Sequence, residues 1–236
     1  MATFVLVHGA WHGGWCWKRV AALLRQAGHE VFAPTLTGLG ERAHLMSNAI
    51  DLHTHIRDIL GVLQWEELAD VVLCGHSYGG MVISGVADRV PEKLRSLVYL
   101  DAFVPDNGTC MMDYVPPEQV ASIREYAQTK GRGFRMVAPI PAETLNVNPQ
   151  DRAWVNRQCV EHPLKCFAQK LSLTGAWTNV PKRVYVYALG RSPSPFTQFY
   201  KRLQLDPAWH TVTVPCGTDV MVDMPQELTQ ILIDAV

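Results

Sequence analysis

Short apolar runs alternate with amphipathic segments along most of this chain, and this alternation is the strongest constraint on its fold. The runs are apolar throughout, which is typical of strands that are buried on both faces of a sheet. Strands that alternate with helices at this spacing favour a parallel sheet wound through right-handed crossovers. Six segments are predicted strands: TFVLVHG, EVFAP, DVVLCG, LRSLVYLDAF, KRVYVYAL and HTVTVP.

The alternation is interrupted between residues 105 and 180, where prolines, methionines and aromatic residues are scattered among short helical segments. The sequence therefore predicts a core made of residues 1–104 and 181–236, and an insertion at 105–180 after the fourth strand. Open parallel sheets bind ligands at the carboxyl ends of their strands. An insertion that starts from this edge is expected to form a helical lid over the pocket.

The segment GHSYG, residues 75–79, lies between the third predicted strand and a predicted helix. It matches the pattern G-x-S-x-G, in which a serine is held on a sharp strand-to-helix turn with its hydroxyl exposed. The pattern alone is a modest signal, but this context supplies its mechanism. Ser77 is therefore a candidate nucleophile.

A glycine-rich loop, HGAWHGGW, follows the first predicted strand. Acyl transfer places negative charge on a carbonyl oxygen, and backbone N–H groups must already point toward that oxygen. The glycines allow the loop to lie close to a substrate. His8 and His12 are expected to support this loop through hydrogen bonds.

Several motifs together resemble the α/β-hydrolase superfamily. They are FVLVHGAWHGGWCW, APTLTGLGER, GHSYGGMV, LVYLDAFVP, PSPF and DVMVDMP, and they extend over essentially the whole chain. More narrowly, the chain is similar to bacterial carboxylesterases that resemble plant methylesterases and hydroxynitrile lyases. The resemblance implies an α/β-hydrolase fold with a mostly parallel six-stranded sheet. It also implies that Ser77 is the nucleophile and that the amides of Ala10 and Tyr78 form the oxyanion hole.

The sequence departs from the family at both remaining triad positions. The usual place for the acid holds Arg191 and Ser192, so Asp101, at a second known place after the fourth strand, is the predicted acid. The family's ending is similar to GHDVMV, whereas this chain reads GTDVMV, which puts Thr218 where the histidine is expected. A threonine hydroxyl has no basic nitrogen near neutral pH and cannot accept the serine proton.

No other residue is an obvious replacement for the base. His210 begins the last strand at the wrong end of the sheet, His162 lies in the insertion, and His76 adjoins the serine. Asp219 is a weak base, and the basicity of its carboxylate is poorly matched to the removal of a proton from a serine hydroxyl. Thr218 is compatible with an introduced substitution, with different chemistry in the same pocket, and with a protein that only binds its ligand.

The insertion and the glycine-rich loop are expected to supply an apolar substrate pocket. The predicted wall contains Trp11, Met111, Met112 and Trp154, with further aromatic residues from the insertion: Tyr114, Phe134 and Phe167. Because this wall has no fixed cation, we expect neutral substrates, either small aromatic or acyl esters or carbamates. The sequence has no phosphate-binding or dinucleotide fingerprint and no zinc-ligand pattern, so we expect no cofactor and no metal.

The net charge and the hydropathy of the chain argue against nucleic-acid binding and against a membrane span. A net charge of −1 argues against a nucleic-acid partner, and the chain has no apolar run long enough to span a membrane. The start, MATFVLVHG, lacks the pattern of a secretory signal, so we expect a cytoplasmic protein with free cysteines; a homodimer is compatible with the sequence. The sequence thus predicts a serine ester hydrolase impaired at Thr218. A lyase, isomerase, cyclase or ligand-binding protein with the same pocket is the alternative.

Overall fold

A six-stranded sheet forms the centre of the protein, in agreement with the predicted fold class. A computed structural model describes residues 1–131 and 139–236. All strand pairs are parallel, in the order β2-β1-β3-β4-β5-β6. The strands are β1 (Thr3–Val7), β2 (Glu30–Phe32), β3 (Val71–His76), β4 (Leu94–Leu100), β5 (Lys182–Ala188) and β6 (His210–Val214).

Helices connect the strands and cover both faces of the sheet. They are α1 (Lys18–Gln26), α2 (Leu52–Trp65), α3 (Gly79–Ala87), α4 (Pro117–Thr129), α5 (Arg152–Gln158), α6 (Leu164–Ala168), α7 (Thr197–Leu203), α8 (Val220–Asp223) and α9 (Pro225–Asp234). Helix α2 begins at a capping box in which the side chain of Asp51 accepts from the Thr54 amide at 2.8 Å.

Two hydrophobic cores lie on opposite faces of the sheet because successive side chains of a strand point in opposite directions. In β3, Leu73 belongs to the core under α2 and α3, whereas Val72 and Cys74 belong to the core under α1 and α9. Strand β3 is fully buried. A continuous apolar run, as the sequence shows, is therefore what this central position requires.

The strand order places a crevice between β1 and β3. The chain starts at β1, continues outward to β2 and then returns to β3 on the other side of β1. Ligands of open α/β sheets bind at such a reversal, outside the carboxyl ends of the strands. The register pairs Val7 with Gly75, so the loops that follow β1 and β3 are neighbours there.

The chain between β4 and β5 carries α4, α5 and α6, at the place where the sequence predicts an insertion. Some of its residues enter the main cores, including Phe167 on one face of the sheet and Val155 on the other. Phe134, assigned to the pocket wall from the sequence, lies outside the described residues. In the two described ranges, every helix is too short or too polar to cross a bilayer.

Candidate active site

Ser77 occupies the tight bend between β3 and α3 that the sequence predicts. Its φ angle is 51°, in the left-handed region that residues other than glycine rarely adopt. The bend is held by three backbone hydrogen bonds of Ser77: its N–H donates to the Leu100 carbonyl at 3.2 Å, and its carbonyl accepts from the amides of Phe103 at 3.2 Å and Gly80 at 3.1 Å. Within the described parts of the chain, the half-buried Ser77 hydroxyl has no hydrogen-bond partner. It is therefore free to interact with a ligand.

The glycines of the GHSYG motif are required by close backbone packing. A Cβ atom at Gly75 would lie 2.7 Å from the carbonyl oxygen of Gly79. A Cβ atom at Gly79 would lie 2.8 Å from the carbonyl oxygen of Val7. Both distances are shorter than real Cβ contacts, so the bend that presents Ser77 depends on glycine at both positions.

The loop after β1 is fixed from below by His8. The Nδ1–H of His8 donates to the Gly9 carbonyl at 2.8 Å, and its Nε2 accepts from the Leu36 amide at 3.0 Å. Burial lowers the pKa of His8 to about 3, so the ring is neutral, as this donor–acceptor pattern requires. This is the supporting role expected from the sequence.

His12 supports the same loop as a cation. Its two ring nitrogens face oxygen acceptors, the Ala10 carbonyl at 2.8 Å and the Asp219 carboxylate at 3.0 Å, so both nitrogens carry protons. Burial opposes the charge, but the attraction of Asp219 outweighs it and raises the pKa of His12. The Ala10 peptide is thus held by an ion pair buried beneath the loop.

The predicted oxyanion-hole amides belong to Ala10 and Tyr78. Ala10 lies in the supported loop, and Tyr78 follows Ser77 at the start of α3. Among the described residues, neither amide donates a hydrogen bond. Two free amides on either side of the crevice are compatible with the binding of a carbonyl oxygen.

Asp101 follows β4 and is fully buried. Its φ angle is 41°, and its carboxylate accepts from the Ala188 amide at 3.2 Å and from the Thr218 hydroxyl. Burial raises the pKa of Asp101 to about 7, although the hydrogen bonds from Thr218 and Ala188 partly oppose this shift. The structure therefore brings together Asp101 and Thr218, which the sequence assigns to the acid and to the missing base.

Thr218 is held in place by its backbone as well as by its hydroxyl. Its N–H donates to the Leu145 carbonyl at 3.2 Å, and its carbonyl accepts from Nε2 of His76 at 3.0 Å. The residue is buried. A buried hydroxyl thus stands at the position where the sequence predicts the missing histidine.

None of the other basic groups considered from the sequence reaches Ser77 by a hydrogen bond. His76 is neutral because burial lowers its pKa to about 4, and its Nε2–H is bound to Thr218. His162 accepts from the Trp11 amide at 3.3 Å, and burial holds its pKa well below the usual value. His210 lies at the start of β6, at the opposite end of the sheet.

A cavity of about 360 Å³ opens beside Ser77 and is lined mainly by apolar residues. The β1 loop and the bend contribute Ala10, Trp11 and Ser77, and helix α4 contributes Glu118, Gln119, Ser122 and Ile123. The remaining lining residues are Phe103, Met111, Val115, Ile140, Phe167, Arg191, Pro195 and Phe196. The cavity matches the predicted pocket in its position and in its mainly apolar character.

Three of the described residues predicted to form the wall, Met112, Tyr114 and Trp154, do not line the cavity. Tyr114 packs edge-on against Phe199 at a centroid distance of 5.1 Å. Met112 is buried in the core beside Met111 and does not line the cavity. Trp154 packs edge-on against Trp15 at a centroid distance of 5.1 Å, beneath the guanidinium of Arg19. Their apolar character fits a pocket wall equally well, so the sequence could not separate a wall residue from a core residue here.

The expectation of a wall without a cation is wrong, because Arg191 lines the cavity. In the sequence, Arg191 stood out only as the residue at the usual position of the acid. Burial raises the pKa of Asp101 overall, and the positive charge of Arg191 opposes a small part of this shift. Burial also acts to raise the pKa of Asp219, but His12, with a smaller contribution from Arg191, lowers it overall. Arg191 is thus a component of the site that the sequence reasoning missed.

His55, His162 and Cys166 form a buried cluster below Tyr78, with potential ligand atoms within 4.8 Å of one another. His55 uses both ring nitrogens in hydrogen bonds, to the Tyr78 hydroxyl at 2.9 Å and to the Thr37 carbonyl at 2.9 Å. A metal ion would have to displace one of these bonds. The cluster therefore fits a hydrogen-bonded core better than a metal centre.

Sequence comparison identifies the family of the chain. The profile described as "Alpha/beta hydrolase family" matches residues 4–231. A carbendazim hydrolyzing esterase of Nocardioides sp. (strain SG-4G) is 52% identical over 236 residues, which cover 98% of each chain. Methyl jasmonate esterase 1 of Vitis vinifera is 38% identical over 105 residues, which cover 43% of this chain and 40% of the plant protein.

Comparison with solved structures supports the same fold. An extracellular α/β-hydrolase from a Paenibacillus species has a TM-score of 0.86 at 22% identity and covers 100% of this chain and 99% of its own. Methylketone Synthase I of tomato has a TM-score of 0.79 at 22% identity and covers 99% of this chain and 96% of its own. At such low identity, these similarities concern the fold alone.

Proposed function

This chain belongs to the alpha/beta hydrolase family, and from that premise we propose that it is a serine hydrolase of small apolar carboxylic esters or carbamates, with an activity greatly reduced by Thr218. Esterase activity in general is supported by the family and by the 52% identical esterase. The observation that carries the serine mechanism is the strained bend of Ser77, with φ of 51°, at the wall of an apolar cavity.

In the proposed reaction, the Ser77 oxygen attacks the carbonyl carbon of the ester and forms a tetrahedral oxyanion. The free amides of Ala10 and Tyr78 stabilise this oxyanion. Collapse of the intermediate breaks the bond to the alcohol, which takes up the proton that the Ser77 hydroxyl lost in the attack, and leaves an acyl-serine. Water then attacks the acyl-serine, releases the acid and returns a proton to the Ser77 oxygen.

The reduced activity follows from the missing proton acceptor. In a serine protease, removal of the histidine lowers turnover by about 10⁶, and the oxyanion hole and binding still give about 10³–10⁴ over the reaction in water. Thr218 donates its hydroxyl to Asp101 and has no nitrogen that could accept the serine proton. We therefore expect slow acylation and even slower release of the acid.

The lining of the cavity supports small apolar substrates. Helix α4 contributes Gln119 and Ile123 to the wall, which supports a lid formed by residues 105–180. Phe103, Phe167 and Phe196 provide aromatic contacts. Carbendazim, the compound named for the bacterial relative, is a suitable first substrate beside p-nitrophenyl acetate.

The test restores the base. We expect Thr218→His to raise turnover of p-nitrophenyl acetate and carbendazim by orders of magnitude, whereas Thr218→Ala, which removes the same hydroxyl without adding a base, gives no increase. Ser77→Ala in the Thr218→His background should abolish the gain. Absence of a gain in Thr218→His, with the fold intact by circular dichroism, would contradict the missing-base account.

A ligand-binding protein is the second candidate function, and the Asp101–Thr218 hydrogen bond favours it. This bond satisfies the buried acid without any contribution to proton transfer from Ser77. Such a protein would bind a ligand saturably without turnover, and Ser77→Ala would leave the affinity unchanged. A hydroxynitrile-lyase reaction is less favoured because no lysine lines the cavity among the described residues.

A further inference from the structure

Arg191 is a cation without a direct partner in the wall of the cavity. Its side chain is partly buried and lines the same cavity as Ser77 and Phe196. Within residues 1–131 and 139–236, it forms no hydrogen bond, no ion pair and no contact with an aromatic ring. A guanidinium has five N–H donors, so several of them remain available to a molecule in the cavity.

The surroundings of Arg191 do not neutralise its charge directly. Asp219 is already paired with His12, and the Asp101 carboxyl is bound by Thr218 and Ala188. Burial lowers the pKa of Arg191, and the two carboxyl groups offset this effect only in part. A partly desolvated cation of this kind gains most from an anion that binds it directly.

We propose that Arg191 makes the cavity a binding site for small aromatic carboxylates. The carboxylate would lie against the guanidinium, which presents parallel N–H groups that match two carboxylate oxygens. The aromatic ring would lie against the apolar wall formed by Trp11, Phe103 and Phe167. Phosphate groups are disfavoured, because the rest of the lining is mainly apolar.

This inference rests on the proposed function only because both use the same cavity. Binding of the carboxylate does not require turnover. Aromatic carboxylates are the acids that hydrolysis of aromatic carboxylic esters releases. Arg191 would thus retain the product of the proposed reaction. In a chain that lacks its base, the same residue would make binding of the acid the main property of the site.

The test compares an acid with its neutral amide. Binding of 2-naphthoate and 2-naphthamide is measured by isothermal titration calorimetry at pH 6, where the naphthoate is ionised and Asp101, with a pKa of about 7, is mostly protonated. We expect tighter binding of the acid. Arg191→Gln should weaken binding of the acid by at least about tenfold, because hydrogen bonds to charged groups contribute more than neutral ones. Binding of the amide should not change.

Arg124→Gln is the matched control, because Arg124 is an exposed arginine on α4, the helix that lines the cavity, but is not itself a lining residue. It should leave the affinity for both ligands unchanged. Arg191→Lys should retain a preference for the acid at lower affinity, since an ammonium is a point charge.

The proposal would be overturned by equal affinity for the acid and the amide, or by no binding of either ligand. It would also be overturned if Arg191→Gln and Arg124→Gln lost the same amount of affinity for the acid. Because binding is measured without turnover, these outcomes are independent of whether Thr218→His gains esterase activity. Circular dichroism of each variant separates loss of the ligand site from loss of the fold.

Discussion

The hydroxyl of Thr218 donates a hydrogen bond to the carboxylate of Asp101, 117 residues earlier in the chain. Both residues are buried at the carboxyl end of the sheet, where Asp101 follows β4 and Thr218 follows β6. The bond gives the buried carboxylate of Asp101, the predicted acid, a hydrogen-bond donor. It also makes the stability of this edge depend on Thr218.

Replacement of this threonine by valine tests the bond. Thr218→Val keeps the shape of the side chain but leaves a buried carboxylate oxygen without its donor. We expect a loss of about 1–3 kcal/mol in the free energy of unfolding at pH 8, measured by urea denaturation. The loss should be smaller at pH 5, where Asp101 is protonated in the folded state because its pKa is about 7.

Thr213→Val is the control for that measurement, because Thr213 is exposed on β6 and its hydroxyl has no partner within the described residues. It should change the free energy of unfolding by less than about 0.5 kcal/mol. Equal losses in the two variants at pH 8 would show that the hydrogen bond to Asp101 does not stabilise the protein.

The raised pKa of Asp101 predicts a specific dependence of stability on pH. Burial raises it to about 7 in the folded protein, whereas the ordinary value is 3.8. Between about pH 4 and pH 7 the folded state therefore holds a proton that the unfolded state has released, so this group makes the free energy of unfolding fall as pH rises. Arg191 and the hydrogen bonds from Thr218 and Ala188 are already included in this shift.

Asp101→Asn removes this contribution. The difference in free energy of unfolding, variant minus parent, should increase from pH 4.5 to pH 7.5 and then level off. A constant offset from the changed hydrogen bonds does not affect this slope. A difference that is flat across the window would mean that Asp101 titrates at its ordinary pKa in the folded protein.

The sequence predicted much of this fold because the relevant signals are local. Continuous apolar runs indicate central parallel strands. The segment GHSYG predicts the bend, because the bend is determined by contacts within a few residues of it and with the adjacent strand. Asp101 is predicted as the acid because it follows the fourth strand, which is a second known place for the acid in the family that the chain resembles. Its position next to Thr218, however, depends on the order of β4, β5 and β6 in the sheet.

The remaining features depend on contacts between distant segments. His12 and Asp219 are 207 residues apart, and nothing in either segment indicates that they form an ion pair. Arg191 lines the cavity because of the path of the chain after β5, which the residues around it do not reveal. Trp154 packs on Trp15 because of how α5 packs against the first loop, a contact that composition cannot reveal.

Gly75 provides a test of the packing that shapes the bend. An alanine Cβ would lie 2.7 Å from the carbonyl oxygen of Gly79, so Gly75→Ala must displace backbone at the start of α3. We expect a loss of more than about 2 kcal/mol in the free energy of unfolding, measured by urea denaturation.

Gly61→Ala is the matched substitution, at a glycine within α2 where the nearest atom to a new Cβ is 4.0 Å away. It should stabilise the protein by up to about 1 kcal/mol, because alanine favours a helix over glycine. If both variants were equally stable, the close approach at Gly75 would not limit the fold.

The buried ion pair of His12 and Asp219 is expected to be the most sensitive element below the site. His12→Gln leaves the Asp219 carboxylate buried without its cation, and breaking a buried pair in this way costs about 3–5 kcal/mol. His53→Gln, at a half-buried histidine on α2, should cost less than about 1 kcal/mol. In the double variant His12→Gln/Asp219→Asn the isolated charge is removed, so part of the stability should return. The free energy of unfolding of each variant is measured by urea denaturation at pH 7. Equal losses of this free energy in His12→Gln and His53→Gln, or no recovery in the double variant, would show that His12 and Asp219 do not stabilise the protein as a pair. The loop that carries Ala10 would then be held by other contacts.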